Sequence, residues 1–306
     1  MNKRMNIFLP MLGIAGFLLV AAGCGSDKDT PGSPSARTAL QVRSGIQTRA
    51  SNADWAKDDA IGIYMLNSGA LTVAEDTKNH PYIAQTSGGE VAFQPRSADA
   101  TIYYPMDGSS VDFCAYYPYR ELANDLYELN VSDQRSLPAI DLMTAAAKEH
   151  DKDHAAVSFR FFHRLSKLEL TIVPGNGVEA SELEGLSVQI TNQRVTGSYD
   201  LLYDTFGIDK ETSVSVTLNT VSDGTSAEGI LLPNDVDDNA PVTGRELVFT
   251  LKSGETFRWS IDDDKSFDCG DKNLYTITIN RSSLEVTSGI EDWNAGNGTG
   301  ESGSAE

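Results

Sequence analysis

Cys24 is the residue with the clearest chemical role in this chain, because its thiol is a candidate for lipid attachment. A basic start at Lys3 and Arg4 precedes the apolar stretch 7–20, and small residues lead up to Cys24. Signal peptides have this composition, and the stretch is too short to cross a bilayer stably. A diacylglyceryl thioether on Cys24, with an acyl chain such as palmitate on its freed amine, would anchor the protein firmly. We predict a lipoprotein signal peptide over 1–23; a secreted protein with a chance cysteine is the alternative.

The histidines are the other residues whose spacing could support chemistry. His150 and His154 would lie one helical turn apart, but a zinc-protease site needs a glutamate between them and a third ligand, whereas 151–153 read Asp-Lys-Asp. We interpret this segment as a solvated loop. His163 has no serine or cysteine motif beside it, which favours a structural role. The sequence therefore predicts no enzyme, no metal site and no cofactor.

The chain is strongly acidic, with a formal net charge of −20. Removing 1–23 takes away Lys3 and Arg4 but no acidic residue, which lowers the charge to −22. Such a chain repels phosphate backbones, so we exclude nucleic acid as a partner. The 306 residues with 40% hydrophobic content suffice for two ordinary domains.

Two further cysteines, Cys114 and Cys269, lie far apart in strand-like surroundings. A disulfide between them is possible in an export compartment. Because sequence alone cannot bring their Cα atoms within bonding range, the interpretation that we favour is two isolated buried thiols.

Alternation of apolar and polar residues at period two dominates the chain, as in 158–161, 167–172, 213–218 and 274–279. Turn-forming clusters separate these runs, which predicts an all-β fold of antiparallel strands packed as sandwiches. The helix-like candidates are short: Leu142 to Glu149 and Ala180 to Glu184.

A cluster of helix and strand breakers at Pro174 to Gly177 suggests a domain boundary. The predicted organisation is a signal peptide over 1–23, a lipidated tether with a removable leading strand over 24–49, β-sandwich domains over 50–174 and 175–293, and a disordered tail over 294–306.

Several motifs, in this order, resemble the fimbrillin family, the type V pilin-like fimbrial subunit lipoproteins of Bacteroidales. They are Thr48-Arg49-Ala50 with Trp55 and 59–64, the run 111–119, Asp141-Leu142-Met143, the run 157–168, Gly229-Ile230-Leu231-Leu232-Pro233, and 275–280 followed by 290–293. The resemblance implies two transthyretin-like β-sandwich domains in tandem. It also implies an arginine-specific protease that removes a leading strand, and donor-strand exchange, in which a neighbour's terminal strand fills the vacated groove. The acidic cluster 26–29 resembles the export signal of such lipoproteins to the outer leaflet of the outer membrane, although ordinary linker charge explains it equally well.

The segments matching the two exchanged strands each have a strand pattern of their own. Leu40, Val42 and Ile46 share one face of the leading strand. In the C-terminal donor strand, Leu284, Val286 and Ile290 share a face with each other, whereas Trp293 falls on the opposite face and would need a bulge near Gly289.

Arg49 is the preferred cleavage point because small residues flank it, and Arg43 and Arg37 are rivals. The alternative is that all three arginines merely solvate a tether.

The leading hypothesis is a structural subunit of cell-surface fimbriae that polymerises with other fimbrial subunits and mediates adhesion to a host or bacterial ligand. The alternative is a permanently lipid-anchored surface protein, including a fimbrial tip or anchor, that binds a glycan or other ligand. Aromatic residues at 103–104 and 116–119 could form a sugar-stacking platform for that alternative, although half of them are expected in the core.

Overall fold

The computed structural model describes residues 37–46, 54–236, 239–281, 284–292 and 299–303. Helix is confined in these residues to the one-turn helix α1 (Leu137–Ile140) and to 3-10 turns at Ala98–Ala100 and Ala180–Leu183. No helix in this described part is long and apolar enough to span a bilayer. The strands of these residues are β1 (Gln41–Ile46), β2 (Ala60–Asn67), β3 (His80–Ala84), β4 (Glu90–Pro95), β5 (Val111–Tyr117), β6 (Leu126–Asn130), β7 (Met143–His150), β8 (Ala156–His163), β9 (Ser166–Pro174), β10 (Ser187–Gln193), β11 (Thr196–Asp200), β12 (Thr205–Ile208), β13 (Val214–Thr217), β14 (Asn219–Thr220), β15 (Ser226–Leu231), β16 (Glu246–Thr250), β17 (Thr256–Ser260), β18 (Asp271–Ile279), β19 (Leu284–Asp292) and β20 (Thr299–Gly303).

The first part of the chain is a barrel with its own core. Its strands follow the order β1-β4-β3-β2-β5-β7-β8, and the sheet closes because β1 pairs with β4 on one edge and with β8 on the other. Alternate residues of these strands point inward and bury a cluster that includes Trp55, Phe93, Phe113 and Phe161.

The second part is a sandwich of two sheets. A four-stranded sheet in the order β13-β10-β16-β17 accompanies a six-stranded sheet in the order β14-β15-β9-β18-β19-β20. A second core cluster joins residues of both sheets, among them Leu168, Ile190, Phe249 and Ile277. A small sheet of β12, β11 and β6 also contributes to it. The all-β prediction is confirmed.

The strand pairing bears on the predicted domain division at 174/175. β9 pairs antiparallel with β15 and parallel with β18, so it belongs to the sheet of the C-terminal strands. No observation tests the predicted boundary after Pro174 directly. Because β9 belongs to the C-terminal sheet, we propose a boundary before Ser166 instead. The disordered tail over 294–306 also stays a prediction; residues 299–303, the part of it that the structure describes, form β20, which pairs with β19.

One predicted helix is wrong. Residues 143–150 form β7, which pairs with β5 and β8 and so completes the barrel wall. The alanine-rich run Met143-Thr144-Ala145-Ala146-Ala147 has high intrinsic helix propensity, but pairing on both edges outweighs that preference. The second candidate, at 180–184, is a 3-10 turn rather than an α-helix.

Candidate strand-exchange site

β1 fills a gap between two strands of the barrel wall, which we call the β1 seat. It runs antiparallel to β4, with Val42 opposite Phe93 and Ser44 opposite Val91. It runs parallel to β8, with Val42 opposite Val157. Because both edges of β1 are hydrogen-bonded, removing it would leave two open strand edges.

The inward face of β1 supplies part of the barrel core. Leu40 is 5% exposed and Val42 is 4% exposed, whereas Ile46 is half-buried and packs against the rim of the same cluster. Gln41 and Arg43 face solvent. Ser44 also points inward and is 1% exposed, although its polar side chain gave no reason to assign it to the core.

Gly45 is the next residue of β1 and lies against the backbone of the barrel. A Cβ built on Gly45 would stand 3.3 Å from the carbonyl oxygen of Gly89, which is tighter than ordinary contact. A side chain there would push β1 away from the loop that precedes β4. The seat therefore favours a glycine at this position.

Large aromatic side chains form the barrel core behind β1. Trp55 is 1% exposed and meets Phe93, Tyr117 and Phe161 edge-on at centroid distances of 5.1, 5.3 and 5.2 Å. The backbone of Trp55 pairs with Gly88. The β1 seat is thus backed by an apolar cluster whose contacts between aromatic rings do not involve β1.

The candidate cleavage residues differ in their surroundings. Arg37 precedes β1, forms an exposed ion pair with Glu75 at 2.7 Å, and lies over the ring of Tyr103 at 4.9 Å. Arg43 is exposed but stands inside β1, where the backbone is paired on both sides. Arg49 and the lipidation candidate Cys24 lie outside the described residues.

The candidate donor strand is β19, which pairs antiparallel with β18 and, on its other edge, with β20. Val286 is 6% exposed, whereas Ile290 is 38% exposed. The backbone of Leu284 lies in the strand, opposite Ile279. Trp293 lies outside the described residues.

The two candidate strands share a sequence. Residues 40–46 read Leu-Gln-Val-Arg-Ser-Gly-Ile, and residues 284–290 read Leu-Glu-Val-Thr-Ser-Gly-Ile. Five of the seven positions are identical, including the serine that hydrophobic patterning missed. This short internal repeat is the sequence signal that could have identified Ser44 and Gly45 as residues of the site.

The aromatic residues considered for sugar stacking are mostly inside the protein. Tyr104, Tyr116 and Tyr117 are buried, and burial is the main cause that raises the pKa of each of these phenols. The half-exposed rings of Tyr103 and Tyr119 are each covered by an arginine. Three of these five tyrosines therefore belong to the core, and the other two lie beneath arginine side chains.

Two of the histidines lie beside carboxylates, in separate places, whereas His150 is the last residue of β7. His154 Nδ1 lies 2.9 Å from Asp151 Oδ1 in an exposed turn after β7. His163 is 3% exposed, and its Nδ1 lies 2.9 Å from Asp141 Oδ1. No group of three or more possible ligands that could hold a metal ion occurs among the residues that the structure describes.

Cys114 and Cys269 are free thiols, which confirms that they do not pair with each other, and both are half-buried rather than fully buried. Cys114 Sγ donates to the carbonyl oxygen of Leu201 at 3.2 Å, and Cys269 Sγ donates to that of Arg164 at 3.3 Å. Burial raises the pKa of Cys114 to about 12 and that of Cys269 to about 11. Both thiols are therefore poor nucleophiles.

Comparison with known proteins gives a consistent result. The model of the fimbrillin-like family matches residues 48–293. A Bacteroides uniformis protein assigned as fimbrium subunit Fim1C is 40% identical over 298 residues, covering 93% of this chain and 94% of that protein. A crystal structure of a Bacteroides uniformis protein assigned to cell adhesion shares 36% identity with a TM-score of 0.75, over 87% of this chain and all of that one. A Bacteroides ovatus structure at 21% identity and a TM-score of 0.67, over 86% of this chain and all of that one, shares the fold. On the family match and the relative that spans nearly the whole chain, this protein belongs to the fimbrillin-like family.

Proposed function

We propose that this protein is a non-enzymatic structural subunit of cell-surface fimbriae that mediates adhesion as part of the fibre. It reaches the outer membrane as a lipoprotein precursor carrying lipid on Cys24. An arginine-specific protease then removes the segment that ends at Arg49, and β1 leaves with it. The C-terminal strand of another subunit, over residues 284–293, fills the β1 seat.

The observation that carries the proposal is the position of β1. It is the first strand of the described chain, yet it lies in the middle of the barrel wall between β4 and β8. A strand in this position is hydrogen-bonded on both edges but is tied to the rest of the barrel only through the segment after Ile46. A single cut in that segment therefore frees the strand without interrupting any other.

The positions of the three arginines along the chain favour cleavage at Arg49. A protease needs an accessible, unpaired stretch of backbone, whereas Arg43 is paired to both neighbouring strands. Cleavage after Arg37 would leave β1 in place. Arg49 stands between the end of β1 at Ile46 and the buried Trp55, so a cut there separates the strand from the core residue.

Burial energies make replacement of β1 favourable. Leu40 and Val42 are almost fully buried, and each such side chain contributes roughly 1.5 to 3 kcal/mol, or about 3 to 6 kcal/mol together. A whole domain is stable by only about 5 to 15 kcal/mol. An empty seat would thus cost a large part of the barrel's stability, and a strand from another subunit restores both the apolar contacts and the edge hydrogen bonds.

The test is to identify the first residue of the protein in material released from the cell surface. Electron microscopy with a label against this chain should show fibres, and N-terminal sequencing of those fibres should begin at Ala50. Arg49→Ala should abolish both results, whereas the matched control Arg43→Ala should change neither. Isolated particles that retain the lipidated Cys24 would contradict the proposal and support a permanently anchored ligand-binding protein.

A further inference from the structure

We propose that the strand donor is a second copy of this chain, and that its residues 284–290 enter the β1 seat in the register that 40–46 occupy in the precursor. This inference rests on the proposed function and adds the identity of the partner and the residue-by-residue fit. Leu284, Val286, Ser288 and Ile290 would take the places of Leu40, Val42, Ser44 and Ile46.

The inward positions carry the first argument. Every residue of β1 that points into the barrel has an identical counterpart in β19, including the 1%-exposed Ser44, whose counterpart is Ser288. A serine in an apolar core is unusual, so its repetition at the same place in both segments is informative. The seat is shaped for these side chains because the precursor folds with them in place.

Gly45 carries the second argument. The Gly89 carbonyl oxygen leaves little room for a Cβ at this position of the seat. β19 has Gly289 at the corresponding position. A shift of the donor by two residues would keep the inward face but would bring Thr287 or Glu291 to this narrow point. Several registers would point the same alternate residues inward, and the glycine selects the one that places Gly289 beside the Gly89 carbonyl oxygen.

The outward positions carry the third argument, because they are where the two segments differ. Gln41 and Arg43 face solvent in β1, and their counterparts are Glu285 and Thr287. Apart from Gly45, where the Gly89 carbonyl oxygen restricts the side chain, the inward positions are identical and the outward positions differ. This is the pattern expected of two strands that fill the same seat at different times.

β19 also leaves part of its apolar face exposed in its own sheet. Ile290 is 38% exposed there, whereas the corresponding Ile46 is half-buried in the seat. Ser288 is half-buried in the sheet, and Ser44 is buried in the seat. Transfer of the strand to another copy would therefore bury more of this face than its home position does.

Cysteine pairs test the register in the full-length protein. Arg43 lies opposite Ala92 of β4, so Thr287 of the donor should occupy that position. Cells that make Thr287→Cys together with Ala92→Cys should yield fibres that mild oxidation links into a ladder on a non-reducing gel. Glu90→Cys and Gln94→Cys, each combined with Thr287→Cys, are matched controls on the same face two residues away and should give at least tenfold less ladder.

The outcomes separate this inference from the proposed function. The native protein, which retains Cys114 and Cys269, sets the background for the gel. Fibres that link preferentially through Glu90→Cys or Gln94→Cys, or that do not link through any pair, would overturn the register while leaving strand exchange intact. An absence of fibres from the native protein would overturn the proposed function itself. Fibres linked through Ala92→Cys support both.

Discussion

Replacing Val42 with alanine is expected to destabilise the precursor and to leave the assembled fibre unchanged. Val42 is 4% exposed in β1 and contacts the barrel core. Under the proposed function this strand is absent from the fibre, so its sequence no longer matters after cleavage. Val91→Ala is the matched control, because Val91 is also 4% exposed but lies in β4, which stays in both states.

The size of the effect follows from the atoms removed. Valine to alanine deletes two buried methyl groups, each comparable to a methylene group worth about 0.8 kcal/mol, so the precursor should lose about 1.6 kcal/mol. That loss lowers the folding equilibrium constant about fifteenfold. The same loss is expected for Val91→Ala in the precursor, and it should persist in the fibre.

Two measurements check the prediction. Urea unfolding of the uncleaved full-length protein should give similar losses for the two variants. Resistance of purified fibres to heating in detergent should fall for Val91→Ala and stay at the native level for Val42→Ala. Fibres of Val42→Ala that dissociate as readily as those of Val91→Ala would mean that β1 remains in the fibre, and the reasoning would be refuted.

Three further predictions concern the core, the pH dependence and the thiols. Trp55→Ala should lower the free energy of unfolding by about 3 to 5 kcal/mol, because its ring is enclosed by aromatic side chains. Burial opposes ionisation of Glu169, but Lys167 and Lys272 outweigh burial and hold the pKa of Glu169 below its ordinary value of 4.5. The free energy of unfolding should therefore fall as the pH drops below 4.5, and it should fall less in the Glu169→Gln variant. Cys114 and Cys269 should react with Ellman's reagent at neutral pH at least tenfold more slowly than in urea.

Each of these predictions has a contrary result. A loss below about 1 kcal/mol for Trp55→Ala would mean that the apolar cluster behind β1 repacks easily. Urea unfolding from neutral pH to about pH 3 measures the acid sensitivity. If Glu169→Gln and the native protein lose the same stability over this range, the sensitivity belongs to other carboxylates. Mass spectrometry can monitor labelling of the two thiols in the folded protein. Rapid labelling would show that local opening exposes them.

The fold class and the inward face of β1 follow largely from local patterns in the sequence. Alternation identified Leu40 and Val42 as inward residues because a period of two requires no knowledge of the neighbouring strands. Ser44 escaped that criterion because hydrophobic patterning treats a serine as an exterior residue.

The features that the sequence did not reveal depend on long-range pairing. The parallel contact of β1 with β8 joins Val42 to Val157, and no local pattern indicates which distant strand will close the barrel. The strand over 143–150 was missed for the same reason: its alanines favour a helix, and the neighbours that make it a strand lie elsewhere in the chain.

The separate positions of the β1 seat and of β19 have a consequence for the polymer. The seat lies in the barrel wall between β4 and β8, whereas β19 lies in the six-stranded sheet, so each junction would join two different surfaces of the subunit. Every junction would then point the same way, and the polymer would be polar, with an unfilled barrel at one end and an undonated terminal strand at the other. Molecules that start, stop or anchor such a filament would have to differ, because each end offers a different chemistry.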